Sequence, residues 1–142
     1  MLIIDKNAKN KRKIMSKNHV LLAFLCSFCF TLNASADYID GQRAYASGDY
    51  EAAILVWTQV AQDGNARAQY NLGWMHANGR GIAQDFQEAI KWYTKAAEQG
   101  NVNAQYNLGN LYLRGQGASQ NDNLAFSWFI KAAEQGDAPA QY

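Results

Sequence analysis

The feature that most constrains this chain is that part of it is written twice. Ala68-Gln69-Tyr70-Asn71-Leu72-Gly73 recurs 36 residues later as Ala104-Gln105-Tyr106-Asn107-Leu108-Gly109, and Ala140-Gln141-Tyr142 begins it again. Lys95-Ala96-Ala97-Glu98-Gln99-Gly100 recurs as Lys131-Ala132-Ala133-Glu134-Gln135-Gly136 at the same shift. Aligned end to end, 64–99 and 100–135 agree at 18 of 36 positions, which chance does not produce. A period of this length marks one supersecondary unit that cannot bury its apolar faces alone, so successive units must stack.

Within a unit the residues specify two helices. Asn65, Asn101 and Asp137 share one register and suit N-caps, because their side-chain oxygens accept from the first free backbone N–H groups. Pro139 falls in the first turn of the third copy, where a missing N–H costs little. The first helix is expected over 66–78, with Ala68, Leu72, Met75 and His76 on one stripe, copied as Ala104, Leu108, Leu111 and Tyr112. Gly79-Arg80-Gly81 and Gly115-Gln116-Gly117 end it. Asp85, copied as Asn121, caps a second helix over 86–98, and Glu88 is placed to close a capping box. The stripe of that helix is Ala89, Trp92, Tyr93 and Ala96, copied as Ala125, Trp128, Phe129 and Ala132. Gly64, Gly100 and Gly136 stand where a helix end takes a left-handed residue. Gly73 and Ala89 are expected to face each other and let the paired backbones approach. Before Gly64 lies a shorter, diverged unit, in which Gly41, Ala53, Trp57 and Val60 mirror Gly73, Ala89, Tyr93 and Ala96. Its loop is four residues shorter, with Gly48-Asp49-Tyr50 as the turn.

Leu-Gly-x-x-[Tyr/His]-x-x-Gly-x-Gly, then Ala-x-x-Trp-[Tyr/Phe]-x-Lys-Ala-Ala-Glu-Gln-Gly, then Ala-Gln-Tyr-Asn-Leu-Gly resembles the Sel-1-like repeat, a relative of the tetratricopeptide repeat. The resemblance covers 64–142, while 37–63 resembles an ordinary tetratricopeptide unit. It divides the chain into a first repeat over 37–63, Sel-1-like repeats over 64–99 and 100–135, and the start of a further, truncated one over 136–142. It implies an all-α fold, an α/α superhelical solenoid of antiparallel helix pairs whose inner face binds proteins or peptides. Two departures stand in the third unit: Asp122 replaces Phe86 and Asn121 replaces Asp85, so its loop is expected to be looser.

Residues 1–36 are a different kind of polymer. Of the 13 Lys and Arg in the chain, six precede residue 20 beside a single acid, Asp5. Thirteen apolar or small residues follow over 20–32, then Ala34-Ser35-Ala36. A basic stretch, a short apolar core and a small-x-small site are the order of a secretory signal peptide. Thirteen residues at ~1.5 Å each reach about 20 Å, short of a ~30 Å hydrocarbon core, so a spanning helix is the weaker reading. Cleavage between Ala36 and Asp37 is expected, with periplasmic or secreted localisation and membrane contact through the signal peptide alone. Met15 offers an alternative start that leaves a signal of ordinary length. Both cysteines, Cys26 and Cys29, fall in this segment, so the cleaved chain has no disulfide or thiolate to draw on.

From residue 37 onward the chain holds seven basic and eleven acidic residues, and nothing in that balance points to nucleic acid. It has one histidine, His76, whose copy is Tyr112; packing at the interhelix contact serves both. Ser119 and Ser127 lack a Gly-x-Ser-x-Gly context and a second candidate base. No Cys, second His or close acidic pair suggests a metal site, so neither cofactor, metal nor catalytic residue is expected. Some secreted members of the repeat family are linked to β-lactam hydrolysis, but those resemble disulfide-laced repeats.

Binding is the remaining chemistry. Trp57, Trp92 and Trp128 lie on stripes and read as packing. Trp74 follows Gly73 on the face that lines the groove in tetratricopeptide arrays, and its copy is Asn110, so packing does not demand an aromatic there. It is either a groove contact or an ordinary surface aromatic. Asn71 and Asn107 match asparagines that in related repeats bond a ligand's main chain; hydrogen bonding within the repeats is the other reading. With Tyr70 and Tyr106 on the same helices, and Arg67 and Arg114 able to hold an acidic group, these complete the candidate groove. The sequence thus reads as an exported binding module or scaffold for a protein or peptide. A cell-envelope enzyme acting on β-lactams or peptidoglycan, or a fragment without independent function, are the alternatives. The fresh N-cap over 137–142 announces a helix that does not follow, so either a truncated gene product or a protein that pairs through this end is expected.

Overall fold

The computed structural model describes residues 38–136, and these form six helices with no strand among them. In chain order they are α1 (38–46), α2 (Tyr50–Gln62), α3 (Ala66–Asn78), α4 (Phe86–Glu98), α5 (Val102–Arg114) and α6 (Asp122–Glu134). Each packs antiparallel on its neighbours in sequence, and α3 also touches α5, so odd-numbered helices form one layer and even-numbered helices the other. The fold is an α/α solenoid of helix pairs. Segment 1–36 with Ala34, Ala36 and Asp37, and segment 137–142 with Asp137 and Pro139, lie outside the described residues.

The caps explain the boundaries. Asn65 and Asn101 accept from the N–H groups of Ala68 and Ala104 at 3.0 and 2.9 Å, and Asp49 accepts from Ala52 at 3.0 Å. Asp85 accepts from the N–H groups of both Gln87 and Glu88, which holds its carboxyl below the usual range. The expected capping box does not close. The Asp85 N–H donates to the His76 carbonyl at 2.9 Å, and the Glu88 carboxylate instead pairs with Lys91. The loop after α3 is thereby tied back to the helix it leaves, and Asn121 repeats that bond to Tyr112 at 3.0 Å. The looser loop expected of the third unit amounts to one side-chain bond lost and one redirected. Asn121 caps one N–H where Asp85 caps two, and Gln120 turns to Asp122 where Gln84 bonds the Ala77 carbonyl.

Two apolar clusters make the core. One gathers Ala53, Trp57, Val60, Ala61, Ala68, Leu72 and Met75; the other gathers Ala89, Tyr93, Ala96, Ala97, Ala104, Leu108, Leu111 and Trp128. Close approach depends on Gly73, but its partner is Tyr93 rather than Ala89. A Cβ at Gly73 would sit 2.6 Å from the Tyr93 ring, as one at Gly109 would from Phe129. Gly41 meets Trp57 in the same way, so in each pair a glycine accepts an aromatic face. Ala89 is fully buried beside that contact without being its partner. Trp57 and Trp128 are buried, and Trp92 is half-buried but packs against the first cluster; Lys95 and Lys131 cover the Trp92 and Trp128 rings at 4.4 and 4.1 Å.

The units are joined by a buried amide relay. Gln69, 4% exposed, donates to the Ala61 carbonyl at 2.9 Å and accepts from Gln99 at 2.7 Å. Gln105, equally buried, donates to Ala97 at 3.0 Å and accepts from Gln135 at 2.8 Å. Each glutamine gives the last turn of the preceding helix a second donor, beside the backbone N–H of Gly64 on Ala61 and of Gly100 on Ala97.

Candidate functional site

The odd-numbered helices carry the candidate face. On α3, Arg67, Tyr70, Asn71, Trp74 and Asn78 follow the three- and four-residue spacing of one helix side. Tyr106, Asn107, Asn110 and Arg114 repeat that side on α5. In the register set by Gly41, Gly73 and Gly109, Tyr38 is the counterpart of Tyr70 and Tyr106.

Two adjoining concavities open along this face. The first, about 320 Å³, lies between α1 and α3 over the edge of Trp57; Tyr38, Gln42 and Tyr45 supply one wall and Tyr70, Asn71, Trp74 and Met75 the other. Its rings interlock. Tyr45 is 5.7 Å from Trp57 and 6.1 Å, edge-on, from Trp74, and Tyr38 is 6.3 Å from Trp57. The second, about 450 Å³, lies between α3 and α5, where Asn78, Asn107, Asn110, Arg114 and Gln116 surround a floor of Phe86, Tyr93 and Leu111. Tyr70 and Trp74 line both.

Hydrogen bonds fix the tyrosines that divide these spaces. Asn107 donates to the Tyr93 hydroxyl at 3.3 Å. Asn71 donates to the Tyr38 hydroxyl at 3.4 Å, since Trp57 stands where Tyr93 does in the next unit and has no hydroxyl to offer. Burial pushes the Tyr70 phenol up, and the Asn107 side chain opposes it. Burial, with Tyr70 alongside, pushes Tyr93 up further. Both phenols are therefore neutral at ordinary pH. Both asparagines thus bond a tyrosine of another helix through Nδ2, Asn107 from α5 to α4 and Asn71 from α3 to α1.

Of the candidate residues, Tyr70, Asn71, Trp74, Asn107, Asn110 and Arg114 line a concavity, whereas Arg67 and Tyr106 line neither. Arg67 is exposed, and Tyr106 packs on Phe129 at 5.7 Å, as Tyr70 does on Tyr93 at 5.8 Å. Trp74 is neither a free surface aromatic nor a core one. It is half-buried and packs against both apolar clusters. Tyr38, Gln42, Tyr45 and Phe86 join the face without having been singled out in the sequence. Tyr38-x-x-Gly41, matching Tyr70-x-x-Gly73, is the signal that points to the first of them.

His76 keeps its stripe position, half-buried, with Nδ1 buried and without a hydrogen-bond partner. Among the described residues there is no group of three or more His, Cys, Asp or Glu that could hold a metal ion, and no helix long and apolar enough to cross a membrane. The arrangement offers apolar contact, amide hydrogen bonds and one guanidinium.

Comparison with known proteins agrees with this geometry. The Sel1 repeat model matches residues 66–101 and 102–137. A Sel1 repeat protein from Oxalobacter formigenes superposes with a TM-score of 0.69 at 38% identity, over 72% of this chain and 42% of its own. A protective antigen of uropathogenic Escherichia coli strains with an SLR fold gives 0.71 at 35% identity, over 75% of this chain and 24% of its own. The Helicobacter pylori cysteine rich protein B shares the fold, with a TM-score of 0.65 at 19% identity, over 80% of this chain and 90% of its own. The chain thus spans less than half the length of the first two. No curated protein matches the sequence.

Proposed function

The chain belongs to the Sel1 repeat family, and from that premise we propose that it is a non-catalytic binding module of the cell envelope, which holds an extended segment of a partner protein along α1, α3 and α5. The observation that carries this reading is the double role of Tyr70 and Trp74, which line two adjoining concavities and make one groove of them. Rings pre-placed by packing lose little freedom on binding, and aromatic and guanidinium groups are the usual anchors of such contacts. The face is built on helices, so its spacing is set before a ligand arrives. Arg67 and Tyr106 belong to the same face as outlying contacts.

Export rests on the leader over 1–36. Amino-terminal sequencing of the exported protein is expected to begin Asp37-Tyr38-Ile39. Recovery of full-length protein in the membrane overturns that part of the proposal. Binding is tested by placing a photocrosslinking amino acid at Asn110, in the groove, or at Glu98, exposed on the other layer. One envelope protein is expected to crosslink through position 110 and not through 98. Equal labelling from both positions defeats the groove assignment. Hydrolysis of a chromogenic β-lactam by the purified protein would defeat the non-catalytic reading.

A further inference from the structure

We infer that the groove selects a peptide in which a bulky apolar side chain stands beside a carboxylate, the side chain entering the aromatic concavity and the carboxylate meeting Arg114. This rests on the groove reading above and narrows its ligand.

The two concavities differ in lining. The first is walled by Tyr38, Tyr45, Trp57, Tyr70 and Trp74 and contains no charged residue. At about 320 Å³ it falls at the small end of ligand pockets, roughly 300–1,000 Å³, and suits a single large side chain. An ammonium group could stack on these rings, but its charge would be desolvated with no carboxylate in the wall. Arg114 in the adjoining concavity adds repulsion, so a neutral side chain fits better.

In the second concavity Arg114 is the one charged lining residue, amid the amides of Asn107, Asn110 and Gln116. Among the described residues Arg114 forms no ion pair; the two salt bridges there join Arg43 to Asp40 and Lys91 to Glu88. An unpaired guanidinium among amide donors presents a planar fork that matches a carboxylate in two bonds. From residue 37 on, acidic residues outnumber basic ones, yet none lines either space. The groove is therefore locally positive on an acidic domain, which favours an anionic group in the second concavity.

Trp74 is the partition. An extended chain advances ~3.3 Å per residue and turns alternate side chains to one face, so residues next but one, about 6.6 Å apart, can straddle one indole. The carboxylate can be an acidic side chain or a chain terminus, and the test separates the two.

The full chain is titrated by fluorescence anisotropy against labelled, amidated peptides of sequence Ser-Gly-Trp-Glu-Gly-Ser and Ser-Gly-Trp-Gly-Glu-Ser. Their counterparts carry Ala for Trp, or Gln or Lys for Glu. A second arm compares Ser-Gly-Ser-Gly-Trp as free acid and as amide. At least one Trp-carboxylate peptide is expected to bind about tenfold or more tighter than its Ala and Gln counterparts. Arg114→Gln should erase the preference for Glu over Gln and keep that for Trp over Ala. Tyr45→Leu should do the reverse. Lys peptides binding as well as Glu peptides, or an Arg114→Gln protein that still prefers Glu, overturns the inference while leaving a peptide groove in place. If no peptide binds, or if a chitooligosaccharide displaces them all, the groove reading falls as well.

Discussion

The joint that α3 makes with α1 and α2 and the joint that α5 makes with α3 and α4 share one register and diverge in chemistry. In both, a glycine on the odd-numbered helix takes an aromatic ring, and a buried glutamine bonds the end of the preceding helix. In the first joint the ring is Trp57, whose Nε1 donates to the Tyr38 carbonyl at 3.3 Å, and the space above is lined by aromatic rings, two amides and Met75, with no charge. In the second the ring is Tyr93, whose hydroxyl engages Asn107, and the space above ends at Arg114. The helix pairs are set by positions that repeat, whereas the two concavities differ through positions that do not, Trp74 and Arg114 among them.

The largest expected effect tests whether the first joint depends on its indole as the second does on its phenol. Trp57→Ala removes a side chain 3% exposed and should cost ~3–5 kcal/mol of folding free energy by denaturant titration. A loss below ~1 kcal/mol would mean the first unit packs loosely and contributes little to the array. Next comes the glycine contact. Gly73→Ala places a methyl 2.6 Å from the Tyr93 ring and should cost ~1–3 kcal/mol, with Gly109→Ala similar against Phe129. A neutral Gly73→Ala would mean that the helices separate easily.

The amide relay offers a test of likeness. Gln69→Ala removes the side-chain bond to the Ala61 carbonyl and Gln105→Ala that to the Ala97 carbonyl; each carbonyl keeps a backbone donor, so each substitution should cost ~0.5–1.5 kcal/mol and the two should agree. A twofold or larger difference would show that the joints are not energetically equivalent. The smallest effect belongs to the phenols. Because Tyr70 and Tyr93 have folded-state pKa values above the ordinary 10.0, their stabilising contribution is complete below pH 10 and is lost as pH rises toward the folded values. Tyr93→Phe, the residue found at its copy, should change stability at pH 7 by less than ~1.5 kcal/mol and flatten the decline above pH 10. An unchanged alkaline slope assigns that decline to other groups.

Much of this was legible beforehand. The helices over 66–78 and 86–98, the Asn caps and the left-handed glycines follow from local chemistry, because a cap or a positive φ is decided within a few residues of chain. The errors were pairwise. Glu88 stood at capping-box spacing, yet the N–H it would have served was already bonded to His76 across the loop. Ala89 was small and well placed for Gly73, yet the ring of Tyr93 reached the glycine first. Trp74, read as either surface or groove, spans both apolar clusters, a position no stripe analysis of α3 alone reveals.

By itself, the sequence determined the repeat, its 36-residue period, the helix pairs and hence the solenoid. Near-identical units must fold alike, and their half-apolar faces are buried only by stacking. Tertiary structure alone decided where the chemistry gathers. Tyr38 and Trp74 lie 36 positions apart in the chain and share one concavity; Trp74 and Arg114 lie 40 apart and share the next. That convergence depends on how far one helix pair turns against another, a quantity set by contacts between pairs, such as Gln69 on the Ala61 carbonyl and Gln105 on the Ala97 carbonyl, and written in no local pattern.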